Sequence, residues 1–249
     1  MTKSEKKKLA RLSKMIHGWR LCPVGEHWVS THPLHVPSSQ SHPEGSVTTR
    51  HGHCAKNPSV KDQLYPDEIN EIAKTHFSNL VKLPCTIDLD LKNRGDQYDD
   101  IIAGWTQYWN EVLIPRTPLE PNLVKALIGS ESIFNPTVLA KKSDPNSARG
   151  LMQIKNSDRK NLGNEKGELK DHYVTVTREE LNDPNLNICA GIRWLFQKQR
   201  LASFKLGHDA TWEETVEYYK GLRNKSKSEK SRIMKKFYKN QKLLAECKK

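Results

Sequence analysis

From Tyr65 onward the chain repeats its apolar residues at intervals of three and four, the spacing that places side chains on one face of an α-helix. One polar segment, residues 135–182, interrupts this pattern and contains a short β-rich piece at residues 173–177. The helix-start signals are Pro66, Pro121, Asp183-Pro184 and the Thr211/Glu214 capping-box pair. Each amphipathic helix must bury its apolar face against another element. The sequence therefore predicts a mainly α domain with a small β element.

Residues 19–62 differ in composition and pattern, because they are rich in Pro, Gly and Ser and have no helical period. Short extended pieces joined by turns are expected here, which predicts a small irregular or β-rich module. It holds six of the ten histidines, and Cys22, His51, His53 and Cys54 are residue types that zinc accepts. Their spacing fits no tight zinc pattern. Ordinary histidines are therefore favoured over a structural zinc site, and we expect no metal.

The five cysteines are widely spaced and odd in number, which favours mostly free thiols over a disulfide framework. No run of 18 apolar residues is present, and no apolar stretch follows the basic start as in a signal peptide. We therefore expect a soluble protein, synthesised in the cytoplasm, with no stable membrane insertion. A monomer is expected.

The net charge of +12 is concentrated at the two ends of the chain. Residues 1–20 carry +6 and residues 222–249 carry +9, which leaves −3 for the body between them. Basic ends can contact an anionic polymer such as nucleic acid, anionic lipid or cell-wall glycan. The alternative is that both ends are solvated and only keep the protein soluble.

Glu131 is the carboxylate that the helical pattern singles out. It follows Leu127 by four residues and Ile128 by three, so it continues the apolar stripe of the helix that starts at Pro121. A carboxylate there is costly unless it is paired or protonated, and a carboxyl group in such a place suits a general acid. The alternative is a water-exposed glutamate where the helix breaks before Pro136.

Four short motifs follow in order. They are Glu131-Ser132-Ile133-Phe134-Asn135-Pro136, then Gly150-Leu151-Met152-Gln153, then Asn187-Ile188 with Ala190-Gly191 and Trp194-Leu195, and finally Tyr218-Tyr219-Lys220-Gly221. Over residues 97–222 this series resembles the soluble lytic transglycosylase (SLT) family, which has a lysozyme-like fold. The last motif departs from the family's usual Tyr-Asn-x-Gly, because Tyr219 stands where the Asn is usual.

The resemblance implies cleavage of the β-1,4 bond between N-acetylmuramic acid and N-acetylglucosamine in peptidoglycan. Glu131 would match the single catalytic acid and base, the product would be a 1,6-anhydro sugar, and no cofactor would be needed. The glycan strand would be the partner. The residues expected to bind substrate or to orient the acid are Ser132, Met152, Gln153, Asn187 and Tyr218.

Two other functions stay open at this point: a hydrolytic muramidase on the same fold, and a catalytically inactive protein that binds nucleic acid or cell wall. The predicted organisation is a basic tail (1–18), a His/Cys-containing module with one helix (19–95), a lysozyme-like domain (96–222) and a basic C-terminal helix or tail (223–249). Action at the cell wall would follow lysis or dedicated export.

Overall fold

The computed structural model describes residues 18–38, 43–59, 61–86 and 94–246. Within these ranges the predicted mainly α architecture with a strand-rich N-terminal module is confirmed. The helices are α1 (Pro66–His76), α2 (Asp99–Leu113), α3 (Pro121–Glu131), α4 (Asn156–Leu162), α5 (Pro184–Leu206), α6 (Trp212–Tyr219) and α7 (Lys227–Ala245). The strands are β1 (Glu26–Val29), β2 (His32–Val36), β3 (Ser46–Arg50), β4 (His53–Lys56), β5 (Gln63–Leu64) and β6 (Tyr173–Val174).

The strands form three two-stranded sheets. β1 pairs with β4 and β2 with β3, both antiparallel, whereas β5 pairs in parallel with β6. The β5–β6 pair joins the N-terminal module to the polar segment between α3 and α5. The β-rich piece predicted at residues 173–177 therefore becomes a strand whose partner lies about 110 residues earlier in the chain.

The prediction of mostly free thiols is wrong. Cys22 and Cys54 form a disulfide with a Cα–Cα distance of 5.6 Å, and Cys85 is also disulfide-bonded. The antiparallel pairing of β1 with β4 carries Cys54 back beside the segment that enters β1, a proximity that linear spacing does not reveal. Cys189 is a buried free thiol. Cys247 and the basic tail up to residue 17 lie outside the described residues.

Local helix signals are confirmed where the structure can test them. Asp183 caps α5 by accepting a hydrogen bond from the backbone N–H of Leu186, and Thr211 and Glu214 form the reciprocal capping box of α6. The apolar repeat after Pro66 continues in the sequence to Val81 and predicts a helix of that length, but α1 ends at His76 and Val81 is fully exposed.

The basic C-terminal stretch forms a helix of the folded core rather than a solvated tail. The last apolar repeat in the sequence starts after Ser231, which predicts a helix from there, but α7 begins four residues earlier, at Lys227, behind a capping box formed by Ser226 and Glu229. It buries Phe237 and Leu244, and the side-chain amide of Asn240 donates to the Ala126 carbonyl of α3. α3 is therefore packed between α2 and α7, which fixes the end of α3 where Glu131 lies.

Within the described ranges, no helix combines the length and the apolar content that a membrane crossing needs.

Candidate active site

Glu131 is the last residue of α3, and its side chain is 18 % exposed. The carboxyl group is therefore partly exposed, so a ligand can contact it, and it is also partly shielded from water. α3 ends here because Ile133 and Phe134 adopt left-handed φ values of 55°. Such values are unusual for a β-branched or bulky residue, and strained backbone of this kind clusters at functional sites.

Phe134 anchors the strained turn after Glu131. Its side chain is 2 % exposed and stacks on Tyr98 with ring centroids 6.5 Å apart. A Cβ added to Gly95 or Gly129 would lie within 3.2 Å of the Phe134 ring, so glycine at both positions makes room for it. The anchored phenyl ring holds the chain reversal in place and with it the direction of the Glu131 side chain.

Lys220 forms an ion pair with Glu131, with 2.5 Å between its Nζ and the Glu131 Oε1. The same ammonium donates to the Ser130 hydroxyl at 3.0 Å, and that hydroxyl donates to the Leu127 carbonyl. The apolar setting of the carboxylate is thus compensated by pairing. Lys220 belongs to the fourth sequence motif, but its role was missed because it stands at that motif's variable position.

The Met152 segment is held by Asn187, which is fully buried on α5. The Asn187 Oδ1 accepts from the Met152 backbone N–H at 2.8 Å, and its Nδ2 donates to the carbonyls of Arg149 and Leu181. Gly150, at a φ of 74°, lies so close that an added Cβ would be 2.2 Å from that Nδ2. The second and third motifs therefore form one interlocked unit.

Replacing Asn187 with Ala is expected to lower the free energy of unfolding by about 2 kcal/mol, because three buried backbone groups lose their partner. Urea unfolding of the variant checks this. Asn146→Ala, which removes one exposed hydrogen bond to Ser157, is the matched control and should stay within about 0.5 kcal/mol of wild type. Equal stability of the two variants would contradict the conclusion that Asn187 holds the second and third motifs together.

Tyr219 connects the Met152 segment to the Glu131 end of the site. Its hydroxyl donates to the Met152 carbonyl at 2.7 Å. Burial, and next the nearby carboxylates of Glu131 and Asp158, raise the pKa of Tyr219 well above its ordinary value. The residue that departs from the family's usual Asn is therefore a neutral hydrogen-bond donor at the centre of the site.

The other predicted site residues surround these contacts. The buried Ser132 hydroxyl donates to the Ile128 carbonyl at the end of α3. Gln153, with a left-handed φ of 51°, donates its side-chain amide to the carbonyls of Val138 and Gly150.

Met152 is buried, and its Sδ would be 2.3 Å from a Cβ at Gly191. Tyr218 is half-buried at the end of α6. Contact of these residues with a glycan stays a prediction.

Asp158 is a second carboxyl group that the sequence did not single out, because it lies in a polar segment. It is half-buried on α4, and burial raises its pKa above the ordinary value while Lys198 and Lys155 oppose the rise. Its charge is one of the causes that raise the pKa of Tyr219.

The His-rich module gathers no metal site in the part of the chain that the structure describes. Both of the cysteine sulfurs considered as ligands are consumed by the Cys22–Cys54 disulfide. His27 instead hydrogen-bonds Asn57, and His32 and His53 each contact a backbone carbonyl two residues earlier.

A cavity of about 1000 Å³ lies away from Glu131, at the opposite ends of α3 and α6. Its lining includes Leu123, Phe196, Arg200 and Trp212 but neither Glu131 nor Lys220. Eight residues of helix, or about 12 Å, separate Leu123 from Glu131. Because it lacks the convergent motif residues, this cavity is not the candidate active site.

Comparison with protein families finds a match to the transglycosylase SLT domain over residues 113–241, slightly more than half of the chain. The matched region contains all four motifs, begins in the last residue of α2 and ends within α7. A comparison with curated proteins finds no match.

Proposed function

The chain belongs to the transglycosylase SLT domain family, whose members cleave peptidoglycan, and from this premise we propose that it is a lytic transglycosylase with Glu131 as its acid and base. The bond cut is the β-1,4 link from N-acetylmuramic acid to N-acetylglucosamine. The observation that carries this proposal is the half-buried Glu131 carboxyl, held at the end of α3 where the first, second and fourth motifs meet.

The reaction needs one carboxyl group because the nucleophile belongs to the substrate. Glu131 donates its proton to the glycosidic oxygen as the bond from that oxygen to C1 of muramic acid breaks. The 6-hydroxyl of the same muramic acid then attacks C1 and transfers its proton to the Glu131 carboxylate. The products are a free 4-hydroxyl on one fragment and a 1,6-anhydro ring on the other, and Glu131 regains its proton.

Product analysis tests this reaction. Purified sacculi digested with the wild-type protein should release fragments ending in 1,6-anhydromuramic acid, lighter by one water than hydrolysed fragments and resistant to borohydride reduction. Mass spectrometry before and after reduction distinguishes the two kinds of end. Fragments with only reducing ends would reject the transglycosylase reaction, and release of no fragments would favour a binding protein.

Hydrolysis by a muramidase is the second candidate, and Asp158 is the observation that favours it. Most glycosidases that use water or an enzyme nucleophile need a second carboxyl group across the scissile bond. Under the proposed transglycosylase reaction, Asp158→Asn should keep the anhydro product and lose less than about tenfold in rate, since Asp158 takes no proton. If Asp158→Asn loses all cleavage and the wild-type protein releases fragments with reducing ends, the reaction is hydrolysis.

The glycan strand is the proposed partner, and the protein is proposed to act on it as a monomer after lysis or dedicated export. Contact of the basic ends with an anionic polymer is proposed for the exposed side of α7. Arg232, Lys235 and Lys239 follow one another there at three- and four-residue spacing, so they lie on one face.

A further inference from the structure

We propose that Lys236 on α7 is a substrate-binding residue of the Glu131 site and that, together with Lys220, it binds a carboxylate group of the peptidoglycan strand. The inference rests on the proposed function, because it names the group of that substrate which a second cation beside Glu131 would bind. Lys236 lies after the last of the four sequence motifs, so those motifs do not imply this contact.

The hydrogen bonds between α3 and α7 show where Lys236 lies. The Asn122 side-chain amide donates to the Leu244 carbonyl at 3.3 Å. Four residues further along α3, the Ala126 carbonyl accepts from the side-chain amide of Asn240, again at 3.3 Å. Residue numbers therefore fall along α7 as they rise along α3, so the two helices are antiparallel. Lys236 lies about one turn before Asn240 on the same face of α7, which places it beside the last turn of α3, where the candidate acid lies.

Lys236 has a half-buried side chain. Within the described part of the chain it forms neither a salt bridge nor a side-chain hydrogen bond, whereas Lys230 on the same helix pairs with Glu217 at 3.0 Å. Burial and next the charge of Lys220 lower the pKa of Lys236 below its ordinary value. A half-buried ammonium group with a second cation nearby is unfavourable in the free protein, and a bound anion would offset that cost.

The last turn of α3 brings two ammonium groups near one carboxylate. Glu131 pairs with Lys220 at 2.5 Å, so its single negative charge is already engaged by the first of the two cations. In the proposed reaction Glu131 begins as the neutral acid, so at that step none of the described residues supplies an anion to either lysine. A negatively charged group on the bound glycan strand can then pair with both.

A carboxylate is the anion that peptidoglycan offers near the scissile bond. Each muramic acid has a lactyl group on C3, two ring carbons away from the reacting C1. In strands that keep their peptides, the lactyl group is amide-linked to a peptide that has free carboxylates of its own. In strands stripped of peptide, the lactyl carboxylate itself is free. Lysine binds either group through a charge-assisted hydrogen bond, so both sources present the same chemistry to Lys236.

The experiment measures the release of anhydromuropeptides from native sacculi and from sacculi whose carboxylates have been converted to methylamides with a carbodiimide. At low substrate concentration, Lys236→Met should cleave native sacculi about tenfold more slowly than wild type, the effect of losing one charge-assisted hydrogen bond. The maximal rate should be nearly unchanged, because Lys236 takes no part in proton transfer. On amidated sacculi the two proteins should be equal. Lys236→Arg, which keeps the charge, should retain most of the wild-type rate on native sacculi.

Lys225→Met is the matched control, since it also removes one positive charge, from a lysine that pairs with Glu229 at the exposed start of α7. Its preference for native over amidated sacculi should equal that of wild type, which separates a contact at Lys236 from the general attraction of a basic protein. The same preference in Lys236→Met as in the control, or equal cleavage of the two substrates by wild type, would overturn the inference.

Two further arms complete the test. If Lys236→Met folds poorly, Lys236→Gln gives the same comparison with a polar side chain. Sacculi stripped of peptide by an amidase identify the carboxylate: a rate that depends on Lys236 there assigns the lactyl group, and a dependence confined to peptide-bearing strands assigns the peptide. Release of no anhydro ends by wild type from any substrate would reject the proposed function, whereas anhydro ends released without any dependence on Lys236 would reject only this inference.

Discussion

Glu131→Gln is expected to lower the rate of sacculus cleavage by about 10²- to 10⁴-fold, the contribution of a positioned general acid. The substitution keeps the shape of the side chain and removes the proton that the glycosidic oxygen must receive. Lys220 can still donate to the glutamine Oε1, so the contact between α6 and α3 is retained. The variant should therefore fold as wild type does and still bind glycan.

The measurement compares fragment release by the two proteins at equal concentration, with circular dichroism and sacculus pull-down to verify folding and binding. Glu120→Gln is a matched control at the other end of the same helix, where the side chain is 52 % exposed and pairs with Lys82. Cleavage by Glu120→Gln should equal that of wild type. Undiminished cleavage by Glu131→Gln would show that Glu131 is not the catalytic acid.

Arg20→Met is expected to lower the free energy of unfolding at pH 7 by about 3 to 5 kcal/mol. Arg20 is 4 % exposed, and its guanidinium makes two hydrogen bonds to Glu68, at 2.8 and 2.9 Å, and one to Asp62. Asp62 in turn contacts His172 Nδ1 at 2.5 Å. Removing the cation leaves the buried Glu68 carboxyl group without its partner and leaves Asp62 with only the His172 contact, where the N-terminal module meets the helical domain.

The free energy of unfolding that Arg20→Met loses should depend on pH. Burial raises the pKa of Glu68 to about 7 even with Arg20 opposing it. Without Arg20 the folded state holds this proton more firmly, while the unfolded chain releases it near the ordinary value of about 4.3. Folding then takes up a proton, so stability falls as pH rises from about 5 to 8. Burial raises the pKa of Asp62, but the hydrogen bond with His172 and next the charge of Arg20 bring it below its ordinary value, so losing the Arg20 contribution also costs most at higher pH.

Urea unfolding at pH 5 and pH 8 measures both the size of this loss of stability and its change with pH. Arg116→Met is the control, because the Arg116–Asp209 pair is exposed on both sides and should contribute less than about 1 kcal/mol at either pH. A loss for Arg20→Met no larger than that of the control, or one that shrinks as pH rises, would contradict the buried network.

Local signals in the sequence determined the helical class, the starts of α5 and α6, and Glu131 as the candidate acid. Each rests on interactions within a few residues, such as a cap on the next turn or a side chain on one stripe. The ordered motifs pointed to the family that the domain match then showed. The β-rich character of the N-terminal module was also readable from its turns and its lack of helical period.

Only the tertiary structure decided which residues meet. Lys220 lies 89 residues from Glu131 in sequence, and Tyr219 lies 67 from Met152, so their contacts exist because α6 ends beside both segments. Arg20, counted with a basic end, is buried, and the C-terminal lysines lie on a helix that packs against α3. Composition records how much charge a chain carries, whereas the packing of helices decides whether that charge faces water or a carboxylate.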